Sequence, residues 1–268
     1  MSLAAWIERW ALTPDGAAFS THSSDLQPVR WRGRAAMLKV ARSPEEAASG
    51  ALMQWWNGVG AADVFASEPP VLLLARADGK RSLHRMALGG EDDAATRVLC
   101  ATAAGLHAPR SAPPPPLVPL EDWFRPLLAS APSEPLFAQA AEVARSLLAS
   151  QRDVRPLHGD LHHDNVLDFG AAGWRAIDPK GLIGERSFDF ANLLRNPLGP
   201  LPTTPGRLAW QATIIADAAQ LDRRRLLQWT FAYCCLSAVW IVSDGTAADA
   251  DELALDRAVA ELALSEPA

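Results

Sequence analysis

The stretch from Leu157 to Lys180 limits what this chain can fold into more than any other. It reads Leu157-His158-Gly159-Asp160-Leu161-His162-His163-Asp164-Asn165, then Val166 to Phe169, Gly170 to Gly173, Trp174 to Ile177, and Asp178-Pro179-Lys180. Two apolar-rich runs of four residues around a four-residue turn with two glycines predict a β-hairpin. In an antiparallel hairpin the residue before the first strand and the residue after the second face each other, Cα atoms about 4.5–5.5 Å apart. Asn165 and Asp178 are those residues. An amide oxygen beside a carboxylate forms a hard oxygen pair suited to Mg²⁺, which takes one or two protein oxygens and completes its shell with water and phosphate. A nucleotide is therefore the expected ligand. Asp160 lies in the loop entering the hairpin, five residues before Asn165. A carboxylate there can orient an attacking hydroxyl and accept its proton during phosphoryl transfer, which makes Asp160 the expected catalytic base.

Around this segment the chain changes character. Its first 80 or so residues read as strands with one helix. Val29–Trp31 and Ala35–Val40 flank Arg32-Gly33-Arg34, a hairpin signal. Ser43-Pro44-Glu45-Glu46 offers an N-cap serine, proline at the first helical position and glutamate three after the cap, so a helix is expected to run to Trp56 and stop at Asn57-Gly58. Val71–Ala75 reads as a buried strand, closed by Asp78-Gly79. From Glu91 onward apolar residues recur at helical spacing, in Glu91–His107, Ser133–Ser150, Arg207–Leu221, Asp222–Val242 and Asp251–Leu264. Pro113–Pro116 is expected to be an extended spacer rather than an SH3-type ligand.

Composition narrows the function. With 268 residues, 49% of them hydrophobic and 21% charged, the chain can bury a sizeable core. A net charge of −6 gives no electrostatic footprint for a nucleic acid, so no nucleic-acid partner is expected. Three cysteines, two of them adjacent, do not make a disulfide framework, and a reducing, cytoplasmic setting is expected. Glu8 and Arg9 interrupt the apolar start of the chain, against a secretory signal. Leu226–Val242 approaches the length of a membrane span but carries Gln228, Thr230, Tyr233 and Ser237, which favours a buried core helix and no membrane partner.

His-Gly-Asp, Asn five residues after the Asp, and Ile-Asp-Pro together resemble the catalytic segment of the aminoglycoside phosphotransferases, relatives of the protein kinases. With Lys180 and the run Gly184-Glu185-Arg186-Ser187-Phe188-Asp189-Phe190-Ala191-Asn192, the segment is similar more narrowly to the aminoglycoside/hydroxyurea resistance kinases, which include streptomycin 6-kinases. The match is dense over Leu157–Pro197 and looser elsewhere. The resemblance implies an α+β, bilobal protein-kinase-like fold, with a small sheet-plus-helix lobe over residues 1–78 and a mainly helical lobe over 79–268. It implies ATP and Mg²⁺ as cofactors and a small-molecule acceptor such as streptomycin or hydroxyurea. It also implies a small-lobe lysine on a strand, for which Lys39 is the candidate, paired with a helical glutamate. Glu46 is preferred to Glu45, although Glu46 is also the third position of a capping box and Ser49 stands deeper in the helix, where such an acid is usual. Ala75–Ala77 would be the hinge whose backbone meets adenine, His158 a loop brace, and Asp189 a tether for the catalytic loop, with helix capping as its plainer role.

Several other readings compete. No Gly-x-Gly-x-x-Gly or Walker A sequence is present, so Ser20–Ser24 is the expected phosphate-covering turn. Asp168-Phe169-Gly170 spells the metal-binding tripeptide of protein kinases but falls inside the first hairpin strand, where Asp168 is expected to be a strand-end or turn residue. His158, His162 and His163 suggest a zinc hydrolase, yet Gly159 stands where the base of a His-Glu-x-x-His helix belongs. Lys180 is either a phosphate partner or a solvated lysine, and Trp123, Phe124 and Trp210 are expected in the core rather than lining a cleft. A catalytically silent binding module on the same fold is the remaining alternative.

Overall fold

The computed structural model describes residues 2–129, 134–244 and 250–267; Ser133, the expected first residue of one helix, lies outside them. Helix α1 (Leu3–Arg9), capped by Ser2, leads into strands β1 (Thr13–Pro14), β2 (Phe19–Ser20), β3 (Ser24–Trp31) and β4 (Arg34–Ala41). β3 and β4 pair antiparallel from Ser24↔Ala41 to Trp31↔Arg34. Arg32 and Gly33 between them have φ of 50° and 76°, the doubly left-handed connection whose twist matches that of the flanking strands. The expected hairpin is there, with its first strand extended back to Ser24. α2 (Pro44–Trp56) starts on Ser43, carries Pro44 in its first turn and stops at left-handed Asn57. β5 (Val64–Glu68) and β6 (Val71–Ala75) complete a sheet of order β1-β3-β4-β6-β5, with β2 beside β3.

Strand alternation decides what this sheet presents on each side. Ala36 and Leu38 of β4 and Val71 and Leu73 of β6 bury themselves with Val29 and Trp6 in a small core. Their neighbours Met37, Lys39, Leu72 and Leu74 therefore face the opposite side, where Leu72 and Leu74 join Leu52, Met53 and Trp56 of α2 in the large core.

The large core continues through the rest of the chain. α3 (Leu83–Met86) and a π turn bent at Gly90 lead to α4 (Asp92–His107). Pro113–Pro116 has no regular structure and precedes β7 (Val118–Pro119), α5 (Leu120–Trp123) and α6 (Arg125–Ala129). α7 (Pro135–Ala149), β8 (Val154–Leu157), the hairpin β9 (Val166–Asp168) and β10 (Trp174–Ala176), β11 (Leu182–Glu185) and α8 (Ala191–Leu194) follow. β11 joins β7 and β8 in a second sheet. The chain closes with α9 (Arg207–Ala219), α10 (Arg223–Asp244) and α11 (Ala250–Ser265). Residues 223–243 of α10 are long and apolar enough to cross a membrane, but 72% of the most apolar window is buried inside the protein. Trp229, Phe231 and Leu236 lie in the core, and the Thr230 hydroxyl donates to Leu226 O, so α10 is the expected core helix. Phe124 is fully buried against Phe188 and Trp229, Trp123 stacks edge-on with Trp240, and Trp210, expected in the core, is instead 57% exposed.

The two lobes meet backbone to backbone beside the hairpin. Ala176 N–H donates to Gly60 O at 2.8 Å and Ala62 N–H to Ala176 O at 2.9 Å. Gly60, at φ 77°, is the close approach: a Cβ there would stand 2.6 Å from Leu106 N on α4. The hairpin thus forms the floor of the cleft between a six-stranded sheet and a helical lobe.

Candidate active site

Lys39 enters the cleft because it shares a face of β4 with Met37. Its ammonium is 2.6 Å from Asp178 Oδ1 and is also hydrogen-bonded to Glu46 Oε1. Burial alone would depress Lys39, but the negative charges of Asp178 and Glu46 outweigh it and raise its pKa above the usual lysine value. The choice between the two glutamates is settled by the cap. Glu46 serves the cap through its backbone N–H, which donates to Ser43 Oγ at 3.2 Å, and its side chain is left for Lys39. Glu45 turns its carboxylate to its own N–H and the Ser43 hydroxyl, which lower its pKa. Ser49 donates its hydroxyl to Glu46 O at 2.7 Å and takes no part in the ion pair.

The hairpin forms, but its register differs from expectation by one residue. Asp168↔Trp174 is the last strand pair, and Phe169 joins the turn, its N–H donating to Gly173 O at 2.9 Å. The connection is therefore five residues long, and Asn165 faces Ile177, whose N–H donates to Asn165 O at 2.9 Å. Asp178 does not lie opposite Asn165. It stands one residue further on, at φ 57°, and that left-handed backbone accompanies the side chain that meets Lys39. Asp168 ends β9 as expected. Arg81 holds it through Nε at 2.8 Å and NH2 at 2.9 Å, and that pairing brings its carboxyl down to about 2.

The loop carrying Asp160 is held from beneath by Asp189. One Asp189 oxygen accepts the N–H of His158 (2.8 Å) and the His107 ring (2.8 Å), and the other accepts the N–H of Gly159 (2.7 Å). Burial raises Asp189, yet the His107 hydrogen bond and neighbouring imidazoles leave it below the usual carboxylate value. Asp189 is thus a loop tether, not a cap. His158 Nε2 faces Ile177 O at 2.7 Å, and Nδ1 accepts the Asp160 N–H at 3.2 Å. Those partners assign the neutral Nε2–H tautomer; burial lowers its pKa. Both ring nitrogens are occupied, so His158 is a brace and cannot ligate zinc. His163 is buried with neither ring nitrogen hydrogen-bonded, and burial, with Arg207 nearby, lowers it to about 3.

The Asp160 side chain is 25% exposed. Its Oδ1 accepts from Asn192 Nδ2 at 3.0 Å; its Oδ2 accepts from Asn165 Nδ2 at 3.3 Å and lies 3.4 Å from Lys180 Nζ. Asn165 Nδ2 also donates to Asp160 O at 2.9 Å, so of that amide only Oδ1 could meet a metal ion. Asp178 uses Oδ1 on Lys39, is 39% exposed on its side chain, and has a second carboxylate oxygen to offer. Two hard oxygens suit Mg²⁺ completed by phosphate and water. Among the described residues no group of three or more His, Cys, Asp and Glu side chains is arranged for a metal, so a protein-only zinc cage has no basis here.

Beside Lys39 and Asp178 opens a cavity of about 410 Å³, lined by Leu26, Met37 and Leu74 from the sheet and by Leu167, Phe169 and Ile177 from the hairpin. A mostly apolar slot with charged groups at one side suits a planar base with a polyphosphate. Ala75–Ala77 form its edge. Ala75 N–H is already donated to Asp63 O at 2.8 Å and is not available to a ligand. Phe19 and Thr21 also line the cavity, which puts the β2–β3 turn over it, where Ser20–Ser24 was expected.

The comparisons with known proteins agree. Residues 9–245 match the model of the aminoglycoside/hydroxyurea antibiotic resistance kinase family. The chain belongs to that family. It is 52% identical over 244 residues to the streptomycin 3''-kinase of Klebsiella pneumoniae, covering 89% of this chain and 92% of that one. It is 32% identical over 263 residues to the streptomycin 6-kinase of Streptomyces glaucescens, covering 90% and 82%. Among solved structures, a choline/ethanolamine kinase family protein from Mesorhizobium loti superposes with a TM-score of 0.71 at 14% identity, over 100% of this chain and 96% of that one. The fold is accordingly the α+β, bilobal, protein-kinase-like one, and the protein is a small-molecule kinase.

In this resistance kinase the Asp160 carboxylate is backed by a chain of polar residues, of which Asn192 touches it. Asn192 was noted only as part of a run, and Asn196, Arg207 and Asp92 were not singled out. The only local trace is helical spacing: Asn192 and Asn196 are four apart, and Asn196 Nδ2 donates to Asn192 O and Oδ1, both at 2.9 Å. Arg207 and Asp92 are distant in sequence and could not have been joined to them without coordinates.

Proposed function

We propose that this kinase transfers the γ-phosphoryl group of ATP to a hydroxyl of streptomycin. The observation that carries this is that the hairpin end joins two contacts: Asp160 meets Asn165, Asp178 meets Lys39, and Asn165 pairs with Ile177, the residue before Asp178. Asp160 orients the acceptor hydroxyl and takes its proton as the oxygen attacks phosphorus. Lys39, fixed by Glu46, neutralises nucleotide phosphate, and Lys180 beside Asp160 adds positive charge where phosphate and acceptor meet. Adenine lies in the apolar slot against the Ala75–Ala77 edge. Asn165 Oδ1 and Asp178 would hold Mg²⁺, which supplies charge neutralisation of the phosphates when bound. Residues 1–78 form the nucleotide-covering lobe and residues 79–268 the lobe that supplies the hairpin and acceptor-facing helices. The three free, buried cysteines are compatible with a cytoplasmic setting.

The 52%-identical relative is named for the 3'' position and the 32%-identical one for the 6 position, which favours transfer to the 3''-hydroxyl. ADP release from Mg-ATP measured with streptomycin and hydroxyurea, followed by NMR of the product, tests this. Streptomycin-dependent release and a phosphorus-coupled 3'' carbon are expected. No ADP release with either acceptor would return the silent-module reading.

A further inference from the structure

We propose that Asn192, Asn196 and Arg207 form a positioning relay that fixes the carboxylate plane of Asp160 and is anchored on Asp92. The proposal rests on Asp160 as the base. Asn192, at 4% exposure in α8, donates Nδ2–H to Asp160 Oδ1 at 3.0 Å. That orientation is itself determined: Asn192 Oδ1 is occupied as acceptor by Asn196 Nδ2 at 2.9 Å, so its NH₂ must face Asp160. Asn196 is held in turn by Arg207, whose NH2 donates to Asn196 O at 3.0 Å. The same guanidinium forks onto Asp92, Nε to Oδ2 at 2.6 Å and NH2 to Oδ1 at 2.9 Å. Asp92 opens α4, and Gln211 Nε2 donates to its Oδ2 at 2.9 Å.

All three relay residues are more than nine-tenths buried. A buried polar chain is costly unless each member is satisfied, and apolar packing would join α8, α9 and α4 equally well. This chain instead terminates on the reacting carboxylate. Asn192 grips one oxygen and Asn165 the other, so rotation about the carboxylate bond is restricted by neutral donors that bring no charge of their own. The charged and titratable groups around Asp160 arrive from elsewhere: Lys180 at 3.4 Å, His162 at 3.8 Å, His158 in its own loop and Tyr233 of α10.

The test compares wild type with Asn192→Ala, Asn196→Ala and Arg207→Lys, using Mg-ATP and streptomycin. Arg207→Lys keeps a cation for Asp92 but cannot hold Asp92 and Asn196 together. A clamp that merely packs α9 on α4 would tolerate it. The relay predicts a kcat loss on the order of tenfold or more in Asn192→Ala, and a smaller loss of the same kind in the other two. KM for ATP should stay within about twofold, since no relay residue lines the nucleotide slot. A second readout does not depend on turnover. In protein labelled with ¹⁵N-asparagine, the Asn192 side-chain amide resonance, assigned by its loss in Asn192→Ala, should move in both Asp160→Asn and Arg207→Lys. Wild-type kcat in folded Asn192→Ala, or an Asn192 amide unmoved by Arg207→Lys, overturns the proposal. Absence of streptomycin-dependent ADP release in the wild type would instead count against the proposed function, and the resonance would still decide the relay.

Discussion

The two carboxylates of the cleft are held in opposite ways. Asp178 meets the buried ammonium of Lys39, which is also shared with Glu46, so that end is a charged cluster reaching across both lobes. Asp160 is oriented by the neutral amides of Asn165 and Asn192 from within the large lobe, with Lys180 at 3.4 Å and 40% exposed. The contrast matches the work proposed for each end. A group that holds phosphate and metal benefits from a fixed countercharge. A group that must accept a proton benefits from donors that set its direction without adding a full charge.

Four measurements would break or sharpen this contrast. The largest effect is expected from Asp160→Ala, where kcat with streptomycin should fall by about 10²–10⁴-fold, the usual contribution of a general base. KM for ATP should hardly change; a parallel rise in KM would erase the distinction between the two ends. Asp178→Ala should lower kcat and also raise KM for Mg-ATP, because it removes an oxygen ligand and one partner of Lys39 together. Glu46→Gln should cost stability of about 1–3 kcal/mol, read by urea unfolding, because a buried ammonium loses one of two charge-assisted partners. Full stability in that variant would mean Asp178 alone satisfies Lys39.

The smallest effect concerns His163, in the loop that carries Asp160. Unfolded, its imidazole takes a proton near the ordinary value of 6.5; folded, not until about 3. Over that interval the unfolded chain binds the extra proton. The stability is therefore present above pH 6.5 and lost as pH falls toward 3, at about 1.4 kcal/mol per pH unit. Urea unfolding at pH 7 and pH 5 should show a shallower acid loss in His163→Gln by about one proton. An unchanged slope would mean that His163 is protonated in the fold.

What could be read in advance followed the range of each interaction. The cap at Ser43, the Arg32-Gly33 turn and the hairpin are local, and each left a signal within a few residues. The hairpin register was misjudged by one because Phe169, an ordinary strand former, was drawn into the turn. That slip changed the geometry of the expected metal pair, although Asp178 still reaches Lys39 from a left-handed backbone. Glu46 was ambiguous for a physical reason: its backbone caps a helix while its side chain pairs with Lys39, and a sequence does not distinguish the two. The support of Asp160 was out of reach. Arg207 and Asp92 are 115 residues apart, and neither belongs to a pattern that announces the other.

Calorimetric titration of Mg-ADP into Asp160→Ala and Asp178→Ala bears most directly on the division between the two ends. Near wild-type affinity in the first and strongly weakened binding in the second is the predicted outcome. Equal loss in both, or loss only in Asp160→Ala, would contradict it.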